Sequence, residues 1–250
     1  MWALTLTLLG IGVVLGTASQ RITGMGFALL MAPFFALVFG AYEGVLLMNV
    51  GGLVSSALVL SKVWRDVDWK RFALLFAGAI PGGILGGTIA ITLNSATLQI
   101  VVGMVLVMGL SASLLITPRQ HKGSLPGGAL LAGCVSGLTN ATAGIGGPPI
   151  GIYALSTGWP QRHFSATLQP LFVAISISAL VVKMAFSGAT PGLSWWMYLA
   201  MVCLILLGLR LGGILKPLVK EEVGRKAVVL FCYVGAVSAL IDGLWVVFHR

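Results

Sequence analysis

The sequence predicts an all-α polytopic membrane protein, and three observations carry that prediction. Residues of the AVILMFWYC set make up 58% of the 250-residue chain and Asp, Glu, Lys and Arg only 8%, with a mean hydropathy of +1.04. A soluble domain carries about 25% charged residues to face water. The charges are also confined: none falls from Phe72 to Pro118, from Gly123 to Gln161 or from Met184 to Leu209, and each gap exceeds the roughly 20 residues that span a bilayer. Glycine, with 34 residues, has no three-residue period and sits inside apolar runs, where it lets membrane helices pack closely. Disordered, collagen-like and disulfide-scaffold classes are excluded on the same grounds.

Breaks at glycine, proline and polar clusters place single crossing helices near Tyr42–Val63, Trp69–Leu93, Ala96–Ile116, Phe164–Phe186, Trp195–Leu215 and Arg225–Phe248. Two stretches differ. Trp2–Phe39 is interrupted by Arg21-Ile22-Thr23-Gly24-Met25-Gly26, and Pro126–Thr157 by Asn140-Ala141-Thr142-Ala143-Gly144-Ile145-Gly146-Gly147-Pro148-Pro149. Each reads as a broken helix pair, re-entrant or crossing twice, because an interior Gly costs about 1 kcal/mol and an interior Pro about 3. The arms Pro126–Leu138 and Pro148–Thr157 would each cover about 15 to 20 Å of a hydrocarbon core about 30 Å thick, so they are expected to meet in mid-membrane. Irregular backbone survives at that depth only when protein buries it or it lines a wet cavity, so the breaks mark the candidate site.

The order of features repeats. A shift of 120 positions lays Thr23-Gly24-Met25-Gly26 on Ala143-Gly144-Ile145-Gly146, Gln20 on Asn140 and Asn49 on Gln169; a shift of 126 lays Trp69 on Trp195, and Gly82, Gly86 and Gly87 on Gly208, Gly212 and Gly213. The expected organisation is two membrane repeats, 1–116 and 126–250, joined by a cytoplasmic linker at 117–125, each a broken pair plus three transmembrane helices. If each broken stretch returns or crosses twice, Lys62, Arg65, Lys70, Arg71, Arg119, Lys122, Arg162, Lys216, Lys220, Arg225 and Lys226 share one side, as the positive-inside rule requires. The repeats are then inverted relative to one another and both termini lie outside the cytoplasm. Lys183 is expected to snorkel toward the outer face. Met1-Trp2 opens without basic residues, so a cleavable signal peptide is not expected.

Several chemistries find no support. The net charge of +9 sits at membrane flanks, where it orients the chain and meets anionic lipid, and no nucleic-acid motif accompanies it. Cys134, Cys203 and Cys232 lie far apart in apolar segments and read as small hydrophobes, and the three histidines fall at segment ends, so neither a metal nor another cofactor is expected. No nucleophile, base or HExxH, GxSxG or Walker pattern points to an enzyme. All six acids (Glu43, Asp66, Asp68, Glu221, Glu222 and Asp242) lie at or near loops, which disfavours a midplane cation site or proton relay.

An anion fits better. A half-helix beginning in mid-membrane offers unpaired N–H groups and a positive dipole end. Candidate backbone donors are Gly24, Met25, Gly26 and Phe27 in the first break and Gly146, Gly147 and Ile150 in the second; Gln20, Thr23, Asn49, Asn140, Thr142 and Gln169 add neutral side chains. Arg21 and Arg210 join the candidate set, since a deep guanidinium would touch an anion, although either can snorkel to the interface. Two plainer readings stay open: the glycines permit close packing, and the amides bridge helices.

On these residues the chain resembles the sulfite exporter TauE/SafE family of membrane permeases, through two inverted copies of a broken Gly-rich helix and above all through Asn140 to Pro149. The resemblance covers essentially the whole chain. It implies export of sulfite or organosulfur anions across the bacterial inner membrane, and it carries the site to Gly144, Gly146, Gly147 and Pro148. In the first copy Phe27 and Ala28 stand where the second has Gly147 and Pro148. The expected partners are a small anionic substrate and membrane lipid, and a homodimer is compatible with this reading. A non-transporting membrane scaffold is the competing reading; a cation or metal permease, dependent on Glu43 or Asp242, is a further one. The topology predicts that tags at Met1 and Arg250 react with membrane-impermeant reagents from outside intact cells; labelling only after permeabilisation would contradict it.

Overall fold

The structure is a computed structural model that describes residues 2–93, 126–187 and 194–215, with isolated helical positions between 97 and 111 and between 237 and 245. Among the described residues there are eight α-helices and no strand: α1 (Trp2–Thr23), α2 (Gly26–Phe39), α3 (Ala41–Val63), α4 (Trp69–Thr92), α5 (Pro126–Ala143), α6 (Gly147–Thr157), α7 (Gln161–Ser187) and α8 (Trp195–Leu215), with a 3-10 turn at Trp64–Asp66. The helices α1, α3, α4, α7 and α8 are long and apolar enough to cross a membrane. Apart from the isolated positions, the helices expected at 96–116 and 225–248 lie outside the described residues, as does the linker at 117–125.

Both broken stretches are present, but the second breaks later than expected. α5 continues through Asn140 and Thr142 to Ala143, 18 residues or about 27 Å, whereas α6 has only 11 or about 16 Å. The Thr139 and Thr142 hydroxyls donate back to the carbonyls of Ser136 (3.2 Å) and Leu138 (2.9 Å), so these polar residues are accommodated within the helix instead of ending it. The stop comes at Gly144, whose φ of +72° suits glycine; Gly24, at +93°, ends α1 in the same way. Their N–H groups close the preceding turn, Gly144 on Asn140 O (2.9 Å) and Gly24 on Gln20 O (2.8 Å).

Two apolar clusters flank the breaks. Leu9 and Val13 of α1, Phe27, Met31 and Phe35 of α2, Leu47 and Met48 of α3, and Ile205 and Leu209 of α8 form one; Leu75 of α4, Ala129 and Ala132 of α5, Ile150 and Tyr153 of α6, and Leu168, Leu171 and Ile175 of α7 form the other. Met25 packs against both. Each broken pair is thus clasped by a helix from the other half of the chain: α5 by α4, and α1 by α8.

Glycine makes those clasps. A Cβ at Gly78, Gly82 or Gly86 of α4 would strike the backbone of Leu130, Cys134 or Leu138, and one at Gly133 or Gly137 of α5 would strike Leu75 or Ala79. Along the other seam, Gly208 and Gly212 of α8 lie against Val14, Thr17 and Ala18 of α1. Both seams are parallel and small-xxx-small in pattern, which brings helix backbones into van der Waals contact.

The basic residues gather at one end. Arg162 and Asp66 form an ion pair at 2.8 Å, and Gln161 Nε2 donates to Thr23 O at 3.1 Å. These contacts bring the start of α7 beside the ends of α1 and α3, and with them Arg21, Lys62, Arg65, Lys70 and Arg71. Gly212 packs on Arg21, so Arg210 lies at this end as well. Lys183 corrects the expectation that it snorkels. It stands at the opposite end of α7 but is fully buried, with Nζ 4.9 Å from the centre of the Tyr42 ring. A ring face binds a desolvated ammonium, which holds the side chain inside.

Gly82→Leu is expected to push α4 off the Cys134 carbonyl and to destabilise the folded protein by about 1 to 3 kcal/mol or more. Gly127→Ala, which has open space around it, should be neutral or slightly stabilising. Thermal unfolding in detergent distinguishes the two.

Candidate functional site

Two antiparallel helices frame the site. α3 and α7 are joined at one end by Asp66 and Arg162 and at the other by Tyr42 and Lys183, and between them Gly52 faces the Ser176 hydroxyl. Gly52 is the middle residue of the 23-residue α3, about 17 Å from either end. Here a cavity of about 20 Å³ is lined by Gln20, Met25, Phe27, Ala28, Met48, Gly52, Ser56, Asn140, Gly144, Gly146, Phe172 and Ser176. That is room for about one water.

The half-helices leave this cavity in opposite directions. Phe27 and Ala28 belong to the first turn of α2 and Gly146 is the N-cap of α6, so both N-termini border it. Gly147 is the first residue of α6 and its N–H has no intrahelical partner. Pro148 and Pro149 have no N–H to leave unpaired and favour the first turn by their fixed φ. Of the other candidate donors, Gly24 is bonded to Gln20 O and Met25 to Thr23 Oγ1 at 3.4 Å. In regular helix geometry Ile150 is the first amide of α6 to find a carbonyl, that of Gly146. Two positive dipole ends facing one small volume favour negative charge there.

The amides tie the breaks together. Asn140 Nδ2 donates to Asn49 Oδ1 at 2.8 Å, and Asn49 Nδ2 to Val45 O at 2.8 Å. Gln20 Nε2 donates to Gln169 Oε1 and Ser56 Oγ, both at 3.1 Å, while Ser55 Oγ donates to Gln20 Oε1 at 2.6 Å. Gln169 Nε2 donates to Ser165 O at 2.8 Å and to Gly24 O at 3.0 Å. The shift of 120 that lays Gln20 on Asn140 and Asn49 on Gln169 also lays Val45 on Ser165, so each amide pair has its counterpart in the other.

Of the sequence-predicted residues, Gln20, Met25, Phe27, Asn140, Gly144 and Gly146 line the cavity. Asn49 and Gln169 stand one hydrogen bond behind it, and Gly147 packs on Met25 with buried Pro148 beside it. Gly24 packs on Ser165 and Gly26 on Ser19. Thr23 and Thr142 are back-bonded to Ser19 O and Leu138 O. Arg21 lies along α8 at Gly212 and Arg210 is exposed, so neither reaches the cavity.

Sequence reasoning missed Met48, Gly52 and Ser56 on α3 and Phe172 and Ser176 on α7. Their i, i+4 spacing puts each set on one helix face, and the shift of 120 carries Gly52 and Ser56 onto Phe172 and Ser176. That signal was in the chain, away from the breaks.

The model of the sulfite exporter TauE/SafE family matches residues 8–239. The chain belongs to this family. A search of curated proteins and a search of solved structures gave no match. As a TauE/SafE protein it is a multi-pass membrane transporter, and the family implies sulfite or related sulfur anions as the cargo. The stretch from Asn140 to Pro149 supplies three of the twelve residues that line the cavity, Asn140, Gly144 and Gly146.

Gln20→Leu is expected to strand Gln169 Oε1 and the Ser55 hydroxyl and to lower stability by about 1 to 3 kcal/mol. Thr142→Ala should change it much less, because only a back-bond to its own helix is lost. Unfolding midpoints of the two variants in one detergent make the comparison.

Proposed function

We propose that the protein exports a small sulfur oxyanion, sulfite or a short organosulfonate, from the bacterial cytoplasm by alternating access around the central cavity. The observation that carries this reading is the pair of half-helix N-termini bordering one neutral, carboxylate-free lining. Amide and hydroxyl groups complete the lining without a fixed counter-charge, so an ion is stabilised enough to enter and not held too tightly to leave.

The cavity is too small for a polyatomic anion, which favours a closed intermediate that opens to either face over a fixed pore. The correspondence of the two amide pairs, with α3 and α7 antiparallel through Gly52 and Ser176, supports two inverted copies; a pseudo-two-fold gives each face an equivalent way to open. The basic end is assigned to the cytoplasm by the positive-inside rule, which puts the start of α1 outside. Direction then follows from charge. With the cytoplasm negative, each anionic charge leaving gains about 2.3 kcal/mol per 100 mV, and no coupling ion is needed.

Sulfite efflux from loaded vesicles is expected to accelerate when the inside is made negative. Flux indifferent to potential would contradict uncoupled export. Gly146→Val places side-chain carbon where a Cβ already lies 2.8 Å from Ile175 Cδ1 and Ser136 Oγ; it should abolish flux in protein that still folds. Retained flux would favour a scaffold whose breaks serve packing alone.

A further inference from the structure

The basic end holds polar atoms that neither the fold nor the central cavity accounts for. Tyr153 of α6 is 4% exposed, and its hydroxyl is buried without a hydrogen-bond partner, as is Nη1 of Arg71 in the first turn of α4. The two side chains meet at Trp159. The Arg71 guanidinium lies over that indole, 4.6 Å from the ring centroid, and the Tyr153 ring packs edge-on to it at 6.1 Å.

Asp68 does not fill the gap. Its carboxylate accepts from the Arg71 backbone N–H at 3.1 Å as the cap of α4 and lies 3.5 Å from Arg71 Nε, which leaves Nη1 free. The site is therefore close to neutral, with a guanidinium N–H and a phenol O–H both available to donate. Burying two donors unpaired is unfavourable, and what satisfies both at once is an acceptor with several oxygens.

Its position relates it to the pathway. α6 starts at the central cavity with Gly147, and Tyr153 lies six residues further along, about 9 Å toward the basic end. We propose that Arg71 and Tyr153, with Trp159 as the wall, form a second oxyanion site, an antechamber between the central cavity and the basic face. Its ligand class, a small free sulfur oxyanion, rests on the transport reading above; its geometry does not. Near-neutral charge makes it a transit site, which captures an ion at the mouth and releases it along α6.

Full-length protein in neutral phosphatidylcholine, which offers no anionic headgroup, is heated at increasing sulfate, and sulfite uptake through the basic face is measured in vesicles of the same lipid. Tyr153→Phe and Arg71→Gln should each raise the half-protecting sulfate concentration and the sulfite KM by about tenfold, with kcat kept within about twofold. Tyr153→Phe removes only an unpartnered hydroxyl, so it should fold at least as well as the parent without anion. Protection and KM unchanged in Tyr153→Phe, or a parent protein that sulfate does not protect, would overturn the site. Tyr153-dependent protection in a protein that carries no anion would uphold the site and overturn the transport reading instead.

Discussion

Everything in this fold depends on one constraint: backbone polar groups inside a bilayer must find partners within the protein. Unbroken helices meet it automatically. The two interrupted stretches do not, and the structure meets the need at each break with a glycine at positive φ whose N–H closes the preceding turn, and with a side-chain donor that reaches a carbonyl of the break. Gln169 reaches the carbonyl of Gly24, and the Ser136 hydroxyl reaches that of Gly146. With the carbonyls so occupied, what remains at the cavity is the donor end of each half-helix.

The packing serves the same end. Glycine seams between α4 and α5 and between α8 and α1 bring backbones together without side chains between them, so each broken pair is braced by a long helix from the other half of the chain. This cross-bracing lets the cavity sit at the centre of α3, between the two clusters, with Met25 packed against both near the first break.

Much of this was legible in the sequence. Charge-free runs longer than a bilayer is thick leave little choice but helices, and Gly146-Gly147-Pro148-Pro149 cannot be read as the middle of one. The extent of α5 was not legible, because Asn140 and Thr142 look like breakers by rules learned in water, whereas in a dry interior their side chains bond within the helix or across to Asn49. Lys183 was misplaced for a related reason: its ring partner, Tyr42, lies far away in sequence. Ser56 and Ser176 carry no comparable mark in the sequence, because they belong to a polar stripe on two regular helices away from the interruptions.

Binding of an anion between the two half-helix tips decides the functional reading. Crystals of the protein soaked with selenite, a heavier isostere of sulfite, test it directly by anomalous scattering. A selenium peak enclosed by Gln20, Asn140, Ser176 and Gly146 is expected. Selenium found solely at the surface, with the space between the tips unoccupied, would contradict that reading.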